Sequence, residues 1–247
     1  MLHRPTTKLF VDSKYMDSSG NFQVPGEAIM VHPTTRVWLA EASIVASFDT
    51  IDSTNDSFEI VELGVSRTVT ISNGPHDIES LREAIESSLN FAPGAGMGTY
   101  TVTRISTGSG GSTFRSYRVT CSAGTFAIPA VSNKLSSICA FPNGDTPSAT
   151  QVSSFVDVRR VHAIYIHTTL GANNAIAPNG SRSILAKIPV TVGYGSLIHV
   201  EMSGSEYDYV EAGCHAISNI RLTLHDVDGN ELDLHGTRWS ATLVFAR

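Results

Sequence analysis

Residues 217–245 read ISNIRLTLHDVDGNELDLHGTRWSATLVF, and this stretch decides the fold class. From Ile217 to Leu224 apolar and polar residues alternate, with Ile220, Leu222 and Leu224 on one face and Asn219, Arg221 and Thr223 on the other. A period of two is the mark of a half-buried strand. Asp228-Gly229-Asn230 follows as a hairpin turn signal, because aspartate, glycine and asparagine tolerate the backbone angles that such turns require. Ala241 to Phe245 then closes the chain as an apolar strand. The pattern is antiparallel β.

Working outward, the same reading repeats. Val161–His167 (VHAIYIH) is a strand, followed by a polar Gly/Asn/Pro loop over 171–181. Ile184–Val192 contains Pro189, which implies an edge or a kink because proline cannot donate to a ladder, and Leu197–Met202 follows. Toward the N-terminus, Arg36–Phe48 (RVWLAEASIVASF) alternates at Val37 and Leu39 and again at Ile44, Ala46 and Phe48. The change of parity between the two halves implies a bulge or bend. Phe58–Leu63, Val65–Ile71 (with Val65, Val69 and Ile71 on one face), Tyr100–Ile105, Thr113–Cys121 and Thr125–Val131 complete the set, and Gly108-Ser109-Gly110-Gly111 reads as a hairpin tip. The sum is roughly ten to twelve strands.

One segment breaks the pattern. Asp77–Leu89 (DIESLREAIESSL) places Ile78, Leu81, Ile85 and Leu89 at helical spacing, with Asp77 as N-cap and Glu79, Glu83 and Glu86 on the polar side. Pro93 and the glycines after it end this helix, expected over about residues 77–90. A helical turn is expected over Asn133–Ala140, and residues 140–153 receive no assignment.

Composition agrees. The chain has 247 residues, 16% of them charged, with 30 Ser, 23 Thr and only 4 Lys. Such a chain is too apolar and too weakly charged to be disordered, and too poor in Glu and Lys for a helical bundle. Hydroxyl- and β-branch-rich sequences with 20 Gly and 10 Pro favour strands and turns. No composition break marks a boundary, so one domain over 1–247 is expected. The net charge is −6, and no basic cluster exceeds the pair Arg159–Arg160; direct nucleic-acid binding, which rests on cationic faces, is not expected. No apolar run has the length of a signal peptide or a membrane span. Cys121, Cys139 and Cys214 are odd in number and widely spaced, which fits synthesis in a reducing cell interior, without secretion.

Candidate chemistry is sparse. Asp226-Val-Asp228-Gly-Asn230-Glu-Leu-Asp233 begins like a calcium loop but carries Glu231 and Thr237 where the sixth-position glycine and twelfth-position glutamate belong, so a hairpin turn is the reading. Gly94–Gly98 (GAGMG) follows a helix and opens a strand, the reverse of a dinucleotide fingerprint. The histidines, among them His162, His167, His199, His215, His225 and His235, accompany no catalytic motif. His162 and His167, five apart in one strand, would face apart, while His225 and His235 could approach across the Asp228 turn. His76-Asp77 and His225-Asp226 are adjacent rather than alternate, so neither starts the two-His, one-carboxylate triad of an oxygenase. Trp38, Trp239, Tyr207 and Tyr209 with Asp208 are the aromatics that a glycan- or receptor-binding module would use. No catalytic, metal-binding or cofactor-binding residue is indicated, no cofactor is implied, and an enzyme is not expected.

Three stretches carry a resemblance. Leu9-Phe10-Val11-Asp12-Ser13-Lys14-Tyr15 with Asn21-Phe22-Gln23-Val24 resembles the opening strand of the single jelly-roll penton-type and minor capsid proteins of eukaryotic double-stranded DNA viruses and Polinton-like elements. The turn Asp49-Thr50-Ile51-Asp52 leading to Phe58-Glu59-Ile60, and the helix carrying Ser80, Leu81, Ile85, Leu89 and Asn90 before Tyr100-Thr101-Val102-Thr103, are similar. So is the closing hairpin from Asn219 through Asp228-Gly229-Asn230 and Trp239-Ser240 to Leu243-Val244-Phe245. The resemblance implies a mainly-β fold, a single jelly-roll-like antiparallel sandwich with one inserted helix. It implies a structural virion protein, a penton-type vertex or minor capsid protein that forms a pentamer or another ring and contacts the major capsid protein. An N-terminal arm of Met1, Leu2, His3, Arg4, Pro5, Thr6 and Thr7 is the candidate interface, ordering on a neighbour during assembly. A jelly-roll glycan- or receptor-binding module is the alternative.

Overall fold

The computed structural model describes residues 6–26, 28–32, 34–91, 98–107, 114–171, 176–202, 209–213 and 216–246. Strands come first in chain order: β1 (Thr6–Asp12), β2 (Asn21–Gln23), β3 (Ile29–Met30) and β4 (Arg36–Val45). Next are β5 (Ser57–Glu62), β6 (Val65–Thr70), helix α1 (Ile78–Phe91), β7 (Tyr100–Thr107), β8 (Phe114–Cys121), β9 (Phe126–Ala127) and β10 (Thr150–Val152). The chain ends with β11 (Ala163–Thr168), β12 (Ile184–Pro189), β13 (Leu197–Glu201), β14 (Val210–Glu211), β15 (Ala216–Ile217), β16 (Asn219–His225) and β17 (Trp239–Ala246). Contacts divide these elements into two compact units, one of Met1–Phe48 with Val161–Arg247, the other of Asp49–Arg160.

In the first unit eight strands pair as nested antiparallel ladders: β1 with β17, β2 with β16, β4 with β13, and β11 with β12. First meets last, second meets second-last, and the innermost pair is a hairpin. Further ladders join β17 to β4 and β16 to β11, giving sheets ordered β1-β17-β4-β13 and β12-β11-β16-β2. A nested hairpin rolled into two four-stranded sheets is a jelly roll. Inward positions alternate as the sequence predicts: Val37, Leu39, Ala42 and Ile44 of β4 share one core with Ile164 and Ile166, Ile220, Leu222 and Leu224, and Leu243 and Phe245. The parity change in β4 is a bulge. Thr242 pairs with Glu41 and Leu243 with Leu39, so Ala40 is the extra residue. Pro189 ends β12, an edge strand, where its missing N–H costs nothing.

The closing hairpin is corrected. β16 and β17 lie in different sheets. The Asp226–Asn230 turn does reverse the chain, but the return makes only the His225–Glu231 bridge and a bond from Leu232 N to Leu224 O before the chain leaves for the other sheet. The turn has a twin. Asp17-Ser-Ser-Gly20-Asn21 repeats the Asp-x-x-Gly-Asn pattern of Asp226-Val-Asp-Gly229-Asn230. In each, the leading carboxylate accepts backbone N–H groups two and four residues on, at 2.8–2.9 Å, and the asparagine amide as well. Both glycines have positive φ, +77° and +89°, and a Cβ on Gly20 would stand 2.5 Å from the Leu222 carbonyl oxygen. Glycine is required there for shape and for space.

The second unit holds the three-stranded sheets β6-β5-β9 and β10-β8-β7. Helix α1 lays Leu81, Ile85 and Leu89 into a core with Ile60, Val69, Val102 and Tyr117. Its N-cap is Asp77, whose Oδ1 accepts from Glu79 N and Ser80 N while Ser80 Oγ accepts from Asp77 N. At the other end Asn90 binds the Glu86 carbonyl and both backbone groups of Tyr100, which fastens the helix to β7. Leu63, read from the sequence as strand, instead forms the β5–β6 turn with Gly64, at φ +49° and +80°. Val65 lies beside that turn and is exposed, unlike its expected face-mates Val69 and Ile71. The segment 140–153 supplies β10, and buried Gln151 donates to the Phe126 and Thr146 carbonyls. The turn expected over Asn133–Ala140 is a short 3-10 helix, Lys134–Ser137.

Candidate functional site

β1 is the outer strand of its sheet; Thr6 pairs with Ala246 and Thr7 with Phe245. Of the seven residues of the expected arm, Met1, Leu2, His3, Arg4 and Pro5 lie outside the described residues, whereas Thr6 and Thr7 belong to the ladder. Along β1 the alternation turns Leu9 and Val11 inward to the core and leaves Phe10 outward, 71% exposed. An aromatic ring therefore stands at a position where the strand pattern calls for a polar side chain. Tyr15, in the 3-10 turn after β1, is also exposed.

Phe10 and Tyr15 border a groove of about 710 Å³ whose walls include Pro25 and the flank of Phe22, with Asp12 and Glu41 as its acidic members. It runs along β1 and β2, which are edge strands of the two sheets. Exposed apolar surface next to an unpaired strand edge is the combination soluble proteins normally avoid unless another chain covers it. A larger cavity, about 820 Å³, lies between the Asp17–Asn21 turn and the segment Glu231–Trp239, with charges of both signs on its walls, from Lys14, Asp17, Glu231, Asp233 and Arg238. Mixed charge and solvated turns give it less reason to be covered.

The titratable groups fall elsewhere. His225 packs against His167, ring centroids 4.3 Å apart and planes tilted by 43°, because Thr223 lies opposite His167 and His225 opposite Tyr165. His225 does not meet His235, which sits beside Asp233. His162 precedes β11 rather than sharing it with His167. Among the described residues no group of three His, Cys, Asp or Glu is placed to hold a metal ion. Residues 94–97, Tyr207, Asp208, Cys214 and His215 lie outside the described residues. Cys121 and Cys139 are buried free thiols, and burial pushes the Cys139 thiol up to about 12, which leaves it inert at neutral pH.

In the second unit Glu62 is a buried carboxylate held by the Tyr100 hydroxyl and by Arg67 Nη2 at 2.9 Å. Arg67 also donates to the Leu89 carbonyl and lies over the Tyr100 ring. Burial, then the Glu62 carboxylate, raise the Tyr100 hydroxyl well above its ordinary range. Together these contacts tie β5, β6, α1 and β7 to one another within the second unit. The aromatics named for a binding platform are mostly occupied: Trp239 is in the core, Trp38 is half-buried, and Arg36 covers the Tyr209 ring at 4.4 Å.

The nested strand order, the interrupted β4–β11 connection and the edge groove can be set against known proteins. No protein-family model and no curated protein sequence matches the chain. A solved structure does. The fold is similar to that of the mavirus penton protein. The TM-score is 0.60 with 10% identity, over 98% of this chain and 99% of that one. At that identity the likeness is one of fold, and it extends over the second unit as well as the jelly roll. No described helix is long and apolar enough to cross a membrane.

Proposed function

We propose that this chain is a structural protein of a virion. The full-length similarity in fold to the mavirus penton protein carries the reading. In finer terms it is a penton-type vertex or minor capsid protein of a double-stranded DNA virus or Polinton-like element. It is made inside the host cell, assembles with itself as a pentamer or another ring, and contacts the major capsid protein. It performs no catalysis and needs no cofactor.

The self-association surface in this reading is the β1 edge with the Phe10–Tyr15 groove, and its occupant is the N-terminal segment Met1–Pro5 of a neighbouring copy. Met1 and Leu2 suit the aromatic walls, while Arg4 complements Asp12 and Glu41. A chain's own segment is a poor occupant. It leaves β1 at Thr6, while the groove lies at the opposite end of the strand, so it would have to reverse and run back along β1 to enter it.

Light scattering on the purified chain at two concentrations tests this. A discrete ring mass, or a mass that rises with concentration, is the expected result. Deleting Met1–Pro5, or replacing Phe10 with Ser, should lower that mass while the chain stays folded. A wild-type chain that remains monomeric, alone and with its major capsid protein, would overturn the reading. A deletion variant that assembles normally removes the arm from it.

A further inference from the structure

We infer that the outer face of the β12-β11-β16-β2 sheet binds a single tetrahedral oxyanion, phosphate or sulfate, either free or as a monoester on a larger molecule. The cavity there measures about 250 Å³, and its walls come from His167, Thr169, Ser183, Arg221, Thr223 and His225, with Thr168 behind them. That is smaller than the roughly 300 Å³ at which pockets for drug-sized ligands begin. It is room for one compact group and a few waters. Three of the side chains are cationic or can become so, three others carry hydroxyls, and none is a carboxylate, in a chain whose net charge is −6.

The polar atoms are arranged to donate. Thr169 Oγ1 accepts from Arg221 N at 3.1 Å, so its own hydrogen is left for another acceptor. His225 Nδ1 lies 2.8 Å from the Gly229 carbonyl, which can only accept, so Nδ1 carries the proton. In the neutral ring Nε2 therefore accepts from Thr223 Oγ1, 2.8 Å away. When the ring is protonated, Nε2 donates instead and the Thr223 hydroxyl is released toward the cavity. His167 uses Nδ1 with Ser183 Oγ at 2.9 Å, and its Nε2 has no hydrogen-bond partner among the described residues. Arg221 forms no ion pair among the described residues. The carboxylate that feels its charge, Asp17, is engaged by Ser19 and Asn21 in its own turn.

Two imidazoles in contact resist double protonation. Burial first, and then the charge of His225, hold the His167 pKa below the ordinary histidine value. A bound dianion reverses that balance, so binding takes up protons and strengthens on acidification. Lys187 on β12 reaches over Tyr165, and Arg182 precedes Ser183. Glu231 lies opposite His225 in an antiparallel bridge but lines the neighbouring cavity, and Asp226 is held by Asp228 N and Asn230 in the turn. A carboxylate near His225 also favours its protonated form, so the sign is the same.

The test uses the full-length chain and two probes, sodium phosphate and sodium sulfate, at pH 5.5 and 7.5, with sodium chloride at matched ionic strength as reference. Sulfate keeps its charge across this range, so its pH dependence reports on the protein. Sulfate should raise the melting temperature beyond chloride at pH 5.5 and do so less at pH 7.5. Calorimetry should show affinity falling roughly tenfold or more in Arg221→Gln, the size expected for losing a charge-assisted bond. Because Arg221 is exposed, that variant should fold; His167→Gln should bind anion with a weaker pH dependence, the remainder coming from His225. Phenyl phosphate binding more tightly than phosphate would identify a group carried on a larger molecule, and the reverse order the free ion. Anion effects equal to those of chloride, or unchanged in both variants, would overturn the site.

Discussion

Leu63 carries a clear residue-scale cost. Its φ of +49° is one that a branched side chain adopts at a penalty of about 1 kcal/mol, and at 81% exposure its side chain recovers little by packing. The turn it forms with Gly64, both residues at positive φ, is the kind that favours Asn-Gly. Leu63→Asn should therefore stabilise the protein by about 0.5–1 kcal/mol, read as a higher urea midpoint at unchanged slope. Arg67 has the opposite sign. Replacing it with Met leaves the Glu62 carboxylate buried beside Tyr100 without its counter-charge, a loss of about 3–5 kcal/mol. The double variant Glu62→Gln, Arg67→Met should recover part of that loss, and a denaturant series on the three proteins would show it. Residues of this kind are poorly legible in sequence. Leu63 continues the apolar run FEIVEL, and only the ladder from Glu62 to Val65 shows that the strand has already ended. His167 and His225 meet through the register of two strands far apart in the chain, for which no local pattern exists.

At the scale of elements, periodicity is the dependable guide. The spacing of Ile78, Leu81, Ile85 and Leu89 locates α1, and Asp77 caps it as that spacing implies. Asp77→Ala removes the acceptor for two N–H groups and should cost about 1 kcal/mol, with circular dichroism checking that helix content is otherwise retained. Asp77→Ser should cost much less, since serine also caps. The alternation within β4 likewise locates its bulge. What periodicity does not contain is partnership. The Asp-x-x-Gly-Asn turn looks like the tip of a long hairpin because its local bonds are those of a hairpin, yet β16 continues to β2 and β11 while β17 goes to β1 and β4. The very short strands β3, β9, β14 and β15 have too few residues to show a period at all.

For the whole molecule, the jelly roll is completed by one unit, and its β4–β11 connection contains the other. Composition does not show this division, because both units are built from the same hydroxyl-rich strands. The two units make separate demands on the chain. The residues of the buried core cluster in Asp49–Arg160 all come from that segment, whereas β17 is the inner strand that joins β1 to β4. A chain cut after Gly236 should therefore lose amide-exchange protection throughout β1, β4, β11 and β16 and keep it in α1, β7 and β8. Uniform loss across both units would contradict this. The nested ladder also sets a schedule for synthesis. Residues Thr6–Val45 leave the ribosome long before their partners, and their sheet cannot close until Ala246 has been added. At typical elongation rates of about 5–20 residues per second, the wait after Arg160 is made lasts roughly five to twenty seconds. During that interval the inserted unit can already be folded while the first strands have no partner. A nascent or truncated chain that lacks β17 thus never presents the finished β1 edge to a neighbour.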